Sequence, residues 1–163
     1  SFLSFLTTGL RHNTSLQQLS VSIPLNEEIT PFINVISQKN NLTELKVDFT
    51  QDQYYSWEGK EQVTPLFYEQ ALPAVTNMLK SHTTIRLLRM ECININNESS
   101  QPNWIELVQH LYETIFIHPS LEYIHLKYLY LLEGVLKDQK KKLIDRHRKE
   151  QPHKPPPIVE FHY

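Results

Sequence analysis

Eight histidines and one cysteine are the side chains of this 163-residue chain with the most evident capacity for chemistry. His12, His82 and His118 fall at matching places, where a helical pattern gives way to a strand pattern. Stacked imidazoles could gather a metal ion, but a tetrahedral site needs further ligands, and no carboxylate or thiol recurs beside them. A ring at a helix C-terminus could instead meet free carbonyl groups, which fits the repetition better. His147, His153 and His162 lie in a basic or Pro-rich stretch without ligand spacing. Cys92 stands alone in apolar surroundings, so it reads as a small buried hydrophobe and allows no internal disulfide. Gly occurs only at Gly9, Gly59 and Gly134, too sparse for a nucleophile elbow or a phosphate-cradling loop. No catalytic residue, metal ligand or cofactor is assigned. The expectation is a protein that is not an enzyme.

The elements that position these residues come from a recurring pattern. Leu16-Gln-Gln-Leu19-Ser-Val21, Leu42-Thr-Glu-Leu45-Lys-Val47, Ile85-Arg-Leu-Leu88-Arg-Met90 and Leu121-Glu-Tyr-Ile124-His-Leu126 all read apolar-x-x-apolar-x-apolar. A short polar turn precedes each one, and an apolar stripe of helical period precedes each turn. The stripes are Phe2, Phe5, Leu6 and Leu10; Ile29, Phe32, Ile33 and Ile36; Leu72, Val75, Met78 and Leu79; and Ile105, Val108, Leu111, Tyr112 and Ile115. Asn26 is the expected N-cap of the second helix, with Glu27 and Glu28 in its first turn. Successive strands separated by a crossover helix must run parallel. The expected fold is therefore α/β: a short, curved solenoid of about four irregular units, with the sheet on the concave side and helices on the convex side.

One domain suffices for a chain of this length. The solenoid is expected over 1–150, ending in a capping helix at about 130–150, with a Pro-rich tail at 151–163. Lys137, Lys140, Lys141, Lys142, Arg146, Arg148 and Lys149 would form the polar outer face of that cap; a nucleic-acid or nuclear-import patch is the alternative. Thr50 to Gln70 reads as an inserted loop that packs back on the body, with Tyr54, Tyr55 and Trp57 as core or anchor residues. Trp104 is expected in the core at the start of a helix.

With 16 basic and 18 acidic residues the net charge is −2, which argues against a general nucleic-acid partner. No apolar run approaches the roughly 20 residues of a membrane span. The lone cysteine favours a cytoplasmic setting. Sequons at Asn13, Asn41 and Asn97 leave secretion as the alternative. The absence of an initiator Met and the apolar start suggest a piece of a longer protein.

The four strand segments resemble leucine-rich repeats over about residues 1–136. The phrasing Leu10-Arg-His-Asn-Thr-Ser-Leu16-Gln-Gln-Leu19 is closest to the ribonuclease-inhibitor-like repeats at the C-terminal end of NOD-like (NACHT–leucine-rich-repeat) receptors. The chain departs from that pattern eight residues after each first apolar position. Pro24, Thr50, Ile93 and Leu129 stand where Asn or Cys would form a side-chain ladder, so the turns after the strands should be less regular. The resemblance implies a non-catalytic protein-recognition module, the ligand-sensing or autoinhibitory repeat region of an innate immune receptor. Its partner would be another protein or the chain's own upstream domains. A substrate-recognition arm of a ubiquitin-ligase adaptor and a purely structural end-cap are the alternatives.

Strand alternation places Ser20, Lys46, Arg89 and His125 in one outward row, flanked by rows Gln18, Glu44, Leu87, Tyr123 and Ser22, Asp48, Glu91, Lys127. The candidate binding residues are Lys46, Leu87, Arg89, Tyr123 and His125, a cationic centre beside an exposed apolar pair. Such a patch suits an acidic, partly apolar protein segment. A solvated sheet face neutralised by Glu44, Asp48 and Glu91 is the alternative.

Overall fold

Strands that alternate core and solvent side chains pair in register only when their apolar sets share a face. That condition is met in four successive pairings. A computed structural model describes residues 2–51, 63–93, 95–96 and 101–163. Strands β1 (Gln18–Pro24), β2 (Glu44–Thr50), β3 (Leu87–Cys92), β4 (Tyr123–Lys127) and β5 (Ile158–His162) form one sheet in the order β1-β2-β3-β4-β5. Every neighbouring pair is parallel. Helices α1 (Phe2–Arg11), α2 (Thr30–Ser37), α3 (Leu72–Ser81), α4 (Pro102–Ile117) and α5 (Tyr130–Glu150) precede the strands one by one. They pack in the same order, α1 on α2, α2 on α3, α3 on α4 and α4 on α5. None is long and apolar enough to cross a membrane.

The core lies between helices and sheet. Leu45, Val47 and Phe49 on β2, with Leu88, Met90 and Cys92 on β3 and Ile124 and Leu126 on β4, are buried. Leu19, expected as their equivalent, is only partly buried, because β1 is an edge strand at one end of the stack. The helical stripes of α2 and α3 are buried as the periodicity predicts, and so is that of α4 apart from a partly buried Ile105. In α1 the expectation fails. Leu3, Thr7 and Leu10 turn inward, while Phe2 and Phe5 are 62% and 80% exposed. Both sides of α1 are apolar, and α1 is the end helix of the stack, so periodicity alone could not choose the buried side.

Two helix starts also differ from expectation. Ile29, not Asn26, precedes α2, and Glu27 instead accepts the Leu3 N–H at 3.3 Å, serving the N-terminus of α1. Residues 63–66 are helical and continue through a π-helical stretch, Phe67–Ala71, into α3. Residues 63–70 of the expected loop are thus helical. The widened turn sits immediately before Pro73, which lacks an N–H and whose ring would crowd the carbonyl four residues back. Phe67 and Tyr68 are buried there, Tyr68 stacks on Trp104 at 5.1 Å, and the Trp104 indole N–H donates to Glu69 at 3.2 Å. Tyr54, Tyr55, Trp57 and the Asn97 sequon lie outside the described residues.

The solenoid does not end at the expected capping helix at about 130–150, because the Pro-rich tail at 151–163 adds a strand. The residues 158–162 of the tail, rather than the helix after Leu131, pair with β4 and complete a fifth helix–strand unit. Buried His147 holds the connection, its two ring nitrogens 2.9 Å from the Phe116 carbonyl and 2.8 Å from the Lys154 carbonyl. The Gln151 amide adds a bond to the Ile117 carbonyl at 2.8 Å.

Regularity sits at the start of the strands rather than after them. Lys39 Nζ donates to the Asn13 carbonyl at 2.7 Å, His82 Nε2 to the Lys39 carbonyl at 2.8 Å, His118 Nε2 to the His82 carbonyl at 2.6 Å, and Lys154 Nζ to the His118 carbonyl at 2.7 Å. Each helix end is thereby tied to the one before it. His12 is one residue out of this register; Asn13 occupies the matching place. The His118 ring is neutral, because Nδ1 accepts the Ser120 and Leu121 N–H groups at 3.1 Å. Burial lowers the pKa of both His82 and His118. These are carbonyl-bridging neutral rings, not cations against a helix terminus.

Candidate binding groove on the open sheet face

Purely parallel sheets are usually covered on both faces and read as continuous apolar runs. Among the described residues, helices cover this one on one face only, and alternation survives on the other. Of the outward residues of the five strands only Pro24, at the end of β1, is buried. The register sets Ser20, Lys46, Arg89, His125 and Glu160 in one row. Gln18, Glu44, Leu87, Tyr123 and Ile158 form the next, and Ser22, Asp48, Glu91, Lys127 and His162 the third. The first four members of each row are those that alternation predicts, and β5 adds the fifth.

A groove of about 530 Å³ lies over this face at the β2–β5 end. Lys46, Arg89, Tyr123 and His125 all line it; Leu87 stands half-buried outside it, between Glu44 and Tyr123 in register. Glu91 and Lys127 complete its floor, and β5 with the following residue contributes Glu160, His162 and Tyr163. These last three were not read as site residues from the sequence. In the sequence Val159, Phe161 and Tyr163 alternate as in a short strand, but alternation alone does not give its register.

Hydrogen bonds fix the groove's side chains. Arg89 Nε donates to His125 Nδ1 at 3.0 Å, so that nitrogen carries a lone pair and the ring is neutral. Burial first, then the adjacent His162 and Arg89, push the His125 pKa down against the opposing pull of Glu160 and Glu91. The His125 and His162 rings meet edge to face at 4.1 Å, and His125 Nε2 has no hydrogen-bond partner among the described residues. The Tyr123 hydroxyl donates to the Glu160 carboxylate, a bond that raises the Tyr123 pKa. Tyr163 is held at the rim by stacking on Tyr130 at 4.6 Å.

The expected cationic centre is therefore narrower than its residue types suggest. His125 contributes no charge, and Glu160 adds a carboxylate to the same row. Lys46 and Arg89, neighbours in register, are the cations that remain. Beside them Asp48 and Glu91 face each other across β2 and β3; burial and then Glu91 raise the Asp48 pKa.

Chemically, the groove offers hydrogen-bond donors, cations and aromatic walls. The one thiol is elsewhere: Cys92 faces the core, fully buried, and burial pushes its pKa up to about 12. Among the described residues no three His, Cys, Asp or Glu side chains converge to hold a metal ion. No family model matches this chain, and neither do any curated protein or solved structure.

Proposed function

We propose that this chain is a non-catalytic recognition module that docks a segment of another protein, or of its own upstream domains, on the open sheet face. The observation that carries this reading is a parallel sheet that the described residues leave uncovered on one side, with a groove of about 530 Å³ at Lys46, Arg89, Tyr123 and His125. A stack of helix–strand units with every strand parallel is also what a curved leucine-rich-repeat solenoid requires, and the open face would then be its concave side. In place of the asparagine ladder of ribonuclease-inhibitor-like repeats, the Lys39–His82–His118–Lys154 ladder ties one unit to the next. On that resemblance the module is the ligand-sensing or autoinhibitory C-terminal repeat region of a NOD-like receptor, working in the cytoplasm.

The test is selection of a random peptide library on the folded chain, followed by amide chemical-shift mapping of the selected peptides. The reading expects shifts concentrated on β2, β3 and β4, at the outward rows. Selected peptides that map to the helix layer instead would overturn it.

A further inference from the structure

Three cations line the groove, Lys46, Arg89 and Lys127, and none has a carboxylate within ion-pair distance among the described residues. Their neighbour outside the groove behaves differently: Arg86 is paired with Glu122 at 3.0 Å. The groove's own carboxylates are Glu91 and Glu160, and Glu160 is engaged by the Tyr123 hydroxyl. Asp48, beside the groove, lies within electrostatic reach of Lys46 and Lys127 but forms an ion pair with neither among the described residues. The Arg89 guanidinium is also oriented. Its Nε is committed to His125, and its terminal nitrogens make no hydrogen bond among the described residues. A guanidinium presenting a free edge is shaped for two parallel bonds to a carboxylate.

Resting on the recognition reading, we infer that Lys46 and Arg89 form a seat for one carboxylate, the side chain of an Asp or Glu in the docked segment. The residue beside that carboxylate lies toward the aromatic wall of Tyr123 and Tyr163. A carboxylate fits better than a phosphoryl group, because a second negative charge would add to the repulsion from Glu91, Glu160 and the neighbouring Asp48. His125 is a positioning residue: it holds the guanidinium and does not itself need to touch the ligand. The seat lies at the β2–β3 side of the groove, and the remaining strands to β5 span roughly 10 Å at ~4.8 Å per strand. That is room for about three extended residues, which places the acid within a segment.

The experiment is an amide chemical-shift titration of the full chain with blocked peptides, N-acetyl-Phe-Ala-Glu-Ala-amide and its counterparts with Gln or phosphoserine in place of Glu. The expected result is a shift of Lys46, Arg89 and His125, with the Glu peptide at least tenfold tighter than the Gln peptide. Raising the salt concentration should narrow that ratio, and Lys46→Gln or Arg89→Gln should abolish it with the folded spectrum retained. Equal affinity of the Glu and Gln peptides at these residues would overturn the carboxylate seat and leave the recognition face standing. A tighter phosphoserine peptide, a Glu preference that survives Arg89→Gln, or no shift in the groove at all would each overturn the seat. Mapping of library-selected peptides to the helix layer is the separate result that removes the recognition face as well.

Discussion

Leu45 and Lys46 are adjacent in sequence and opposite in consequence. Leu45 is fully buried and Lys46 is exposed. Truncating Leu45 to Ala is expected to cost ~2–5 kcal/mol, because the lost transfer energy and the residual cavity add. Lys46→Ala should change stability by less than about 0.5 kcal/mol. Leu19→Ala should fall between them, since Leu19 keeps part of its surface in water. Chemical denaturation of the three variants checks the order, and a cost near zero at Leu45 would contradict the register.

The ladder histidines make a separate residue-scale prediction. His82 and His118 are held below their ordinary value of 6.5 by burial, so the folded state binds fewer protons than the unfolded state on acidification. Their contribution to stability is complete above about pH 6.5 and declines as the pH falls below it through the depressed folded values. His118→Gln retains a donor for the His82 carbonyl and an acceptor for the Ser120 and Leu121 N–H groups, but does not titrate. Its midpoint of unfolding should therefore fall less steeply than that of the natural chain between pH 6.5 and 5. Parallel curves would show that His118 does not set the slope.

At the scale of elements, the edge strand is the sensitive point. Deleting residues 152–163 removes β5, the Lys154 rung and one wall of the groove, and leaves β4 with unpaired backbone groups. Such an edge is a template for pairing with another chain. The truncated protein is expected to be less stable and to self-associate in sedimentation. A truncated chain that stays monomeric with an unchanged unfolding midpoint would show that β5 is dispensable.

Four of the five units were legible because each combined a helical stripe, a polar turn and the apolar-x-x-apolar-x-apolar strand. Period-2 alternation then fixed the register across β1 to β4, since a slip of one residue would turn Leu45 and Leu88 to solvent. The fifth unit lacked that signature, because Pro156 stands in register where the other units have their first apolar strand residue, flanked by Pro155 and Pro157. The ladder was hidden for a different reason. Lys39, His82, His118 and Lys154 share a position and a carbonyl target but not a side-chain type. The groove was half legible: Lys46, Arg89, Tyr123 and His125 follow from alternation, whereas Glu160, His162 and Tyr163 needed the pairing of β5.

The described residues form two layers, helices on one side and a sheet open on the other, with each unit touching mainly its neighbours. In such a stack the side chains that hold the fold together point inward, and the outward rows are free to differ without loss of stability. That separation is what the recognition account depends on, and the Arg89→Glu, Tyr123→Ala double variant tests it most directly. The measurement is the affinity of a groove-mapped, library-selected peptide by calorimetry, alongside the unfolding midpoint of the same samples. The account predicts a midpoint within about 3 °C of the natural chain, as for a surface change in a domain of this size, with peptide affinity reduced at least tenfold. An intact fold that binds the peptide as tightly as before would contradict it.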